Sequence, residues 1–425
     1  MATPEHLSAA DAVATLDPDQ HVVLPPGCSE TLAIEAELAA QRERLAGMRI
    51  SSGLLLGDYE FLAGGDYRYA TWHVMPPVRK GVEEGAVEFF PIRASEVVPL
   101  LSSGPMKVDV AVIHVSPPDA HGYCSLGTSA SYPLSVARRA DRVIAQVNPR
   151  MPRTLSTSYL NVSEFDLIVE VDEPLLSYGS PPVDHVSRRI GEAVAELIPD
   201  GATLQIGIGA IPEAVLETLA AAGRRGLTLW GMGVDTAVDL IEAGVLGGDG
   251  RPAVITAEMM ATPKLFDFAD SNPDVLLEPF EVVLDPARMN ADGPFVSVNS
   301  AVEIDLTGQV NSEYVAGRQI SGVGGGFNFL TGGLSSAAGR SVIAMSADTA
   351  GGKISRIVPR LQAGAPVSVP RHHLQTVVTE HGTAHLDGLS LSQRARALIE
   401  IAAPQFRDEL RASLRGAEEE VAANA

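Results

Sequence analysis

The chain has 425 residues, 45% hydrophobic and 20% charged, enough apolar content for two or three domains with real cores. A formal net charge of −22 argues against nucleic acid or an anionic membrane as partner, since both repel it, yet leaves room for a phosphorylated cofactor at a local basic site. Two cysteines, Cys28 and Cys124, make no disulfide framework, metal-ligand spacings are absent, and no apolar run approaches a membrane span; with a polar start, a cytoplasmic protein is expected.

In chain order, Ser8–Leu16 has helical periodicity with Ser8 as N-cap. A turn at Asp17–Asp19 precedes a strand over His21–Leu24, and a long helix follows over Thr31–Leu45. Ile50–Leu56, Val87–Phe90, Val108–Val115, Arg142–Val147 and Phe165–Val171 read as further strands. Strands alternating with helices signal an α/β fold with a mainly parallel sheet.

From Glu173 to Asp184 the chain is irregular and proline-rich, a linker. A second start follows: a helix over Val186–Leu197, a strand over Ala202–Ile206, then a helix with Pro212 in its first turn. Shifted by 181 positions, Ala12-Val13-Ala14, Leu16 and Pro18-Asp19 fall on Ala193-Val194-Ala195, Leu197 and Pro199-Asp200. Val143-Ile144-Ala145 is echoed by Val342-Ile343-Ala344. We read two similar α/β domains in tandem, 1–183 and 184–425, with ligands in the cleft between them. Leu391–Ala402 and Gln405–Leu414 read as amphipathic helices, and Glu418–Ala425 as a frayed tail.

Glycine clusters at Gly322–Gly326 and Gly332/Gly333 precede an apolar strand at Ser341–Met345, another Gly-Gly pair, and the basic residues Lys353 and Arg356. Such a stretch gives up side-chain packing so that the backbone can turn tightly or approach a ligand. Backbone N–H groups beside Lys and Arg suit an anion or a developing oxyanion. By itself the pattern reads more plainly as a connection between core strands.

Four stretches stand together: VDVAVIHVSPPDAHGYCSLG from Val108, GATLQIGIGAIPEAVL from Gly201, NSAVEIDLTGQV from Asn299 with the glycine-rich region, and VVTEHGTAHLDG from Val377. Together they resemble the acetyl-CoA hydrolase/transferase family, over almost the whole chain and most weakly before Val87. The resemblance implies two CoA-transferase-type α/β domains with mainly parallel sheets and an active site between them. It implies no permanently bound cofactor and no metal. Coenzyme A is a co-substrate, with an acyl-CoA and a small acceptor (a carboxylate, water or another nucleophile) as partners, and a homodimer is the expected assembly. In such transferases a glutamate attacks the thioester, and an acyl-glutamyl anhydride and then a glutamyl-CoA thioester follow, their oxyanions held by backbone N–H groups. Gly322, Gly324 and Gly325 match the family's glycine-rich loop, in which Gly326 and Asn328 also fall, and Lys353 and Arg356 match its CoA-facing region.

The chain departs from that pattern where the chemistry lies. The family's glutamate belongs in a stretch that here reads GLTLWGMGVDTAVDL, and anchoring on Asp235 puts Gly231 at its position. No Glu occurs from Gly226 to Leu240. Gly326 stands for a glutamine of the pattern and Asn328 for an aspartate. Altered chemistry is the leading expectation: hydrolysis by an activated water, or direct acyl transfer without a glutamyl-CoA intermediate. The alternatives are a CoA-transferase with a relocated carboxylate, Glu258 or Asp235, and a non-catalytic CoA-binding scaffold. Glu258 is a carboxyl in an apolar strand, costly unless neutral, paired or functional, though a strand-end Glu facing solvent is the plainer reading. For Asp235 the N-cap of a helix from Thr236 is the plainer reading. Cys124, His121 and the pair His372-His373 are read as structural, as are Glu303 and Glu380.

Overall fold

In the computed structural model, which describes residues 3–57, 62, 64–104, 106–157, 159–248 and 250–414, Val- and Ile-rich runs form two eight-stranded sheets. The first contains β1 (Glu5–His6), β2 (His21–Val23), β3 (Arg49–Ser52), β4 (Arg68–Thr71), β5 (Val87–Phe89), β6 (Val110–Val115), β7 (Arg142–Val147) and β8 (Leu167–Glu170). Its spatial order, β5-β4-β3-β2-β6-β7-β8-β1, is parallel throughout. Every residue of β6 is buried, as a parallel strand covered on both faces requires.

The second sheet contains β9 (Thr203–Ile206), β10 (Thr228–Gly233), β11 (Val254–Met259), β12 (Val275–Leu277), β13 (Phe295–Asn299), β14 (Arg340–Ala344), β15 (Thr376–Thr379) and β16 (Gly382–His385). Its order is β12-β11-β10-β9-β13-β14-β15-β16, antiparallel only at β15–β16. The two orders match over seven strands; the eighth differs, being the N-terminal, parallel β1 in the first sheet and the C-terminal, antiparallel β16 in the second. β2 corresponds to β9, as the 181-residue shift anticipates, and β7 to β14, the two strands carrying the Val-Ile-Ala echo.

Helix starts follow their caps. Ser8 accepts from the Asp11 amide at the start of α1 (Ala9–Ala14). Asp184 accepts from the Ser187 amide at α4 (His185–Glu196), and Ser390 and Gln393 form a capping box at α9 (Leu391–Glu400). Between these lie α2 (Leu32–Ala40), α3 (Ala94–Ser103), α5 (Ala210–Leu219), α6 (Thr236–Glu242), α7 (Pro263–Ala269) and α8 (Gly326–Ser335).

Two expectations about elements change. α2 stops at Ala40 rather than Leu45, and Arg44 turns back to donate to the Val13 and Leu16 carbonyls. Gly332/Gly333 is no loop: both glycines lie inside α8, where a Cβ on Gly333 would sit 2.5 Å from the Arg340 carbonyl oxygen. The tail reading over Glu418–Ala425 lies outside the described residues. Among the described residues no helix is long and apolar enough to cross a membrane.

Candidate active site

Strands β10 and β11 lose register by one residue: Gly231 pairs with Thr256, but Met232 pairs with Glu258. In a regular strand neighbouring side chains point to opposite faces. The bulge breaks that alternation, so Ala257 and Glu258 both reach one cavity wall, as do Gly231 and Met232. That cavity, ≈ 260 Å³, opens at the carboxyl ends of β9, β10, β11 and β13. It lies where the strand order reverses about β9, the position at which α/β sheets bind ligands.

Glu258 is the acidic residue of its wall and is only 3% exposed. Segment 128–131, from the N-terminal half, holds it. The Ala130 and Ser131 amides donate to the Ala257 carbonyl, the Met259 amide donates to the Thr128 carbonyl, and the Ser131 hydroxyl donates to Glu258 Oε1. Burial pushes the Glu258 carboxyl up to about 8, against the pull of the Ser131 and Ser129 hydroxyls. It is therefore largely protonated at neutral pH and ionises just above it. The solvent-facing reading of Glu258 does not hold.

Gly231 lines the same cavity with φ +100°, and a Cβ there would lie 2.9 Å from Phe329 Cζ and 3.6 Å from Gln205 Cγ. The Phe329 ring thus occupies the room a side chain at 231 would need. Beyond it stands a polar trio: Gln205 Oε1 accepts from Ser297 Oγ (3.0 Å) and Asn299 Nδ2 (3.1 Å).

The glycine-rich stretch enters the cavity as expected, with Gly322, Gly324, Gly325 and Gly326 on its wall. Gly325 is the N-cap of α8, so the first turn of that helix, with its positive dipole end, borders the chamber. From the first sheet come Leu54 after β3, Trp72 and His73 after β4, and Tyr132. Trp72 packs edge-on to Tyr132, with ring centroids 5.0 Å apart, and Tyr132 donates to the Leu24 carbonyl. Burial pulls the His73 ring down to about 4, so it is neutral.

Other sequence candidates lie elsewhere. Asp235 occupies the N-cap position of α6 without capping it. Its carboxylate instead accepts from the Thr262 amide and hydroxyl and the Leu265 amide, fixing the start of α7, and it does not line the cavity. Asn328 points from α8 to Ser95 Oγ (2.9 Å) and is absent from the wall. Arg356 donates to the Ala301 and Val302 carbonyls and to Ser346 Oγ, and burial lowers its pKa. It clamps strands together rather than facing the chamber. Lys353 lies exposed in the turn joining two short strands, also off the wall. Cys28 and Cys124 are buried thiols pushed up to about 12, and Glu303 and Glu380 accept from Asn311 and from the Ala347 amide. Among the described residues no three His, Cys, Asp or Glu side chains gather to hold a metal.

Residue reasoning did not single out Trp72, His73, Tyr132, Gln205, Asn299 or Phe329. Gln205 and Asn299 carried a usable signal, since each is a polar residue inside or closing an apolar strand. Trp72 and His73 carried none, because their position depends on the pairing of β4 across the first sheet.

The N-terminal domain model of the acetyl-CoA hydrolase/transferases matches residues 4–177, and their C-terminal domain model matches 261–414. The chain is 39% identical over 411 residues to a 4-hydroxybutyrate coenzyme A transferase of Clostridium kluyveri, covering 95% of this chain and 96% of that one. It is 35% identical over 394 residues to a butyryl-CoA:acetate CoA-transferase of Anaerostipes caccae, covering 89% and 88%. Among solved structures, RipA from Yersinia pestis superposes with a TM-score of 0.86 at 30% identity, over 97% of both chains.

Proposed function

Because the chain belongs to the acetyl-CoA hydrolase/transferase family, and is an acyl-CoA enzyme, we propose that it moves CoA from an acyl-CoA to a carboxylate acceptor with Glu258 as nucleophile. The observation that carries this is the placement of a buried carboxyl on the chamber wall, one strand over from Gly231. Ionised Glu258 attacks the thioester carbonyl; the C–S bond breaks, releasing CoA thiolate and leaving an acyl-glutamyl anhydride. The thiolate attacks the glutamyl carbonyl and expels the acyl carboxylate. The acceptor carboxylate and the released thiolate then reverse the two steps with a new acyl group. Each tetrahedral oxyanion forms beside the α8 N-terminus, whose N–H groups suit it. Ser131 is a positioning residue that holds Glu258 Oε1.

The mainly apolar wall favours transfer over hydrolysis, because an anhydride lasts longer where few polar groups hold water beside it. Hydrolysis is the second reading. A carboxyl that titrates near 8 suits a general base for water, and it requires no covalent intermediate.

The purified protein with an acyl-CoA, with and without acetate, separates the two. Acetyl-CoA appearing only with acetate, together with a CoA adduct on the Glu258 peptide, supports transfer; free CoA appearing regardless supports hydrolysis. Under either, Glu258→Ala lowers turnover by about 10⁴-fold or more. Full activity of Glu258→Ala would remove Glu258 from the chemistry.

A further inference from the structure

We propose that the acyl group accepted here is monocarboxylic and apolar, with a body the size of a six-membered ring, seated against Leu54, Trp72, Phe280, Val283, Leu284 and Phe329. The inference rests on the chamber assigned above and deepens it to a substrate class.

Size is the first argument. An apolar cavity of about 150 Å³ already accepts benzene. The chamber here is ≈ 260 Å³, with Gly231, Gly325 and Gly326 contributing no side chain to its wall. An acetyl group would leave most of that space unfilled, forgoing the dispersion and burial that filling it supplies.

Charge is the second. Among the described lining residues no Lys or Arg is present, and the one acidic side chain is Glu258. The second carboxylate of a succinyl group would be buried without a cation and beside that carboxyl, an expensive arrangement. The third argument is the state of the polar wall. Gln205, Ser297 and Asn299 spend their hydrogen bonds on one another, Asn299 Nδ2 lying 2.8 Å from Ser297 Oγ. Ser300, Ser312, Ser321 and Ser368 line the wall elsewhere, but an acyl hydroxyl beside Gln205 and Asn299 would have to break that set to gain a partner there. An apolar ring asks nothing of it.

The test is identity exchange: each acyl-CoA is incubated with its own isotopically labelled free acid, so one acyl group occupies the chamber in both half-reactions. Acetyl-, butyryl-, succinyl-, cyclohexanecarbonyl- and benzoyl-CoA form the series, with free CoA release followed in parallel. A ring acyl-CoA exceeding acetyl- and succinyl-CoA in kcat/KM by about tenfold or more is expected, since single methylenes are worth 10–200-fold in such pockets. Ala94→Leu, which narrows the wall, should remove the ring preference while sparing butyryl-CoA. Acetyl- or succinyl-CoA matching the ring substrates overturns the inference and leaves the proposed function standing. If no thioester in the series reacts, the proposed function fails, and the chamber is judged by binding. Calorimetry on Glu258→Gln should then show ring acyl-CoAs bound about tenfold more tightly than acetyl-CoA, and equal affinities overturn the inference.

Discussion

Glu258 couples chemistry to pH in two ways with opposite consequences. As the proposed nucleophile it must ionise, so kcat/KM should rise with pH through an apparent pKa of about 8. Ser131→Ala removes a hydrogen bond that favours the charged form and should move that midpoint upward. A merely structural Ser131 would leave the midpoint unmoved. For stability the sign reverses. The folded-state pKa lies above the ordinary glutamate value of 4.5, so the contribution of Glu258 is fully present below about 4.5 and is lost as pH rises through about 8. Glu258→Gln, neutral at every pH, should therefore gain on the parent protein in thermal melts run from pH 5 to pH 9. A constant difference across that range would contradict the buried, protonated state. Gly231 is the second informative residue, since its φ of +100° and the nearness of Phe329 both oppose a side chain. Gly231→Ala should cost about 1–3 kcal/mol in urea unfolding. Adding Phe329→Ala should return only the contact part, because the backbone strain remains.

At the scale of elements, the bulge between β10 and β11 and the seating of α8 on β14 shape the chamber. The bulge lets consecutive residues face one cavity, which the strict alternation of a strand forbids. Helix α8 approaches β14 so closely that position 333 admits no Cβ: Gly333→Ala would meet the Arg340 carbonyl oxygen at 2.5 Å, a backbone atom that cannot swing aside. Gly332→Ala would instead meet the Met289 sulfur, the end of a flexible side chain. Urea titration should show Gly333→Ala losing about 2–3 kcal/mol or more, and Gly332→Ala clearly less. Equal losses would mean that α8 is not seated as described. Most element types were legible in the sequence. The starts of α1, α4 and α9 follow from Ser8, Asp184 and Ser390, whose side chains hydrogen-bond their own first turns. The helical state of Gly332/Gly333 was not legible. Glycine is penalised in isolated helices, and only packing against β14 and Met289 outweighs that penalty.

For the whole molecule, the repeated strand order places two homologous sheets in one chain, and the chamber draws its wall from both halves. The halves are stitched by backbone hydrogen bonds at the chamber and beyond it. The Phe280 amide donates to the Ser131 carbonyl, the Leu277 amide to the Leu155 carbonyl, and the Ser271 amide to the Arg153 carbonyl. A protease site placed between Pro182 and Asp184, at the boundary we propose between domains, should accordingly cut the chain without separating it. The two fragments should co-elute in size-exclusion chromatography and retain turnover; separation of the fragments would refute the stitching.

The sequence by itself determined the alternating α/β plan, the tandem repeat and the family. Those are written in local periodicity, turn residues and long motifs, each readable without knowing what lies opposite in space. It also marked Glu258 as anomalous, since a charge in an apolar strand is visible in one dimension. Only the tertiary structure set Glu258 and Asp235 apart in their surroundings. One carboxyl is turned into a chamber by a bulge and the other is consumed in capping α7, and both outcomes depend on pairings between distant segments. It likewise removed Arg356, Lys353 and Asn328 from the chamber wall and brought in Trp72, Tyr132 and Phe329. Side-chain burial and direction follow from packing across sheets, which no linear spacing encodes.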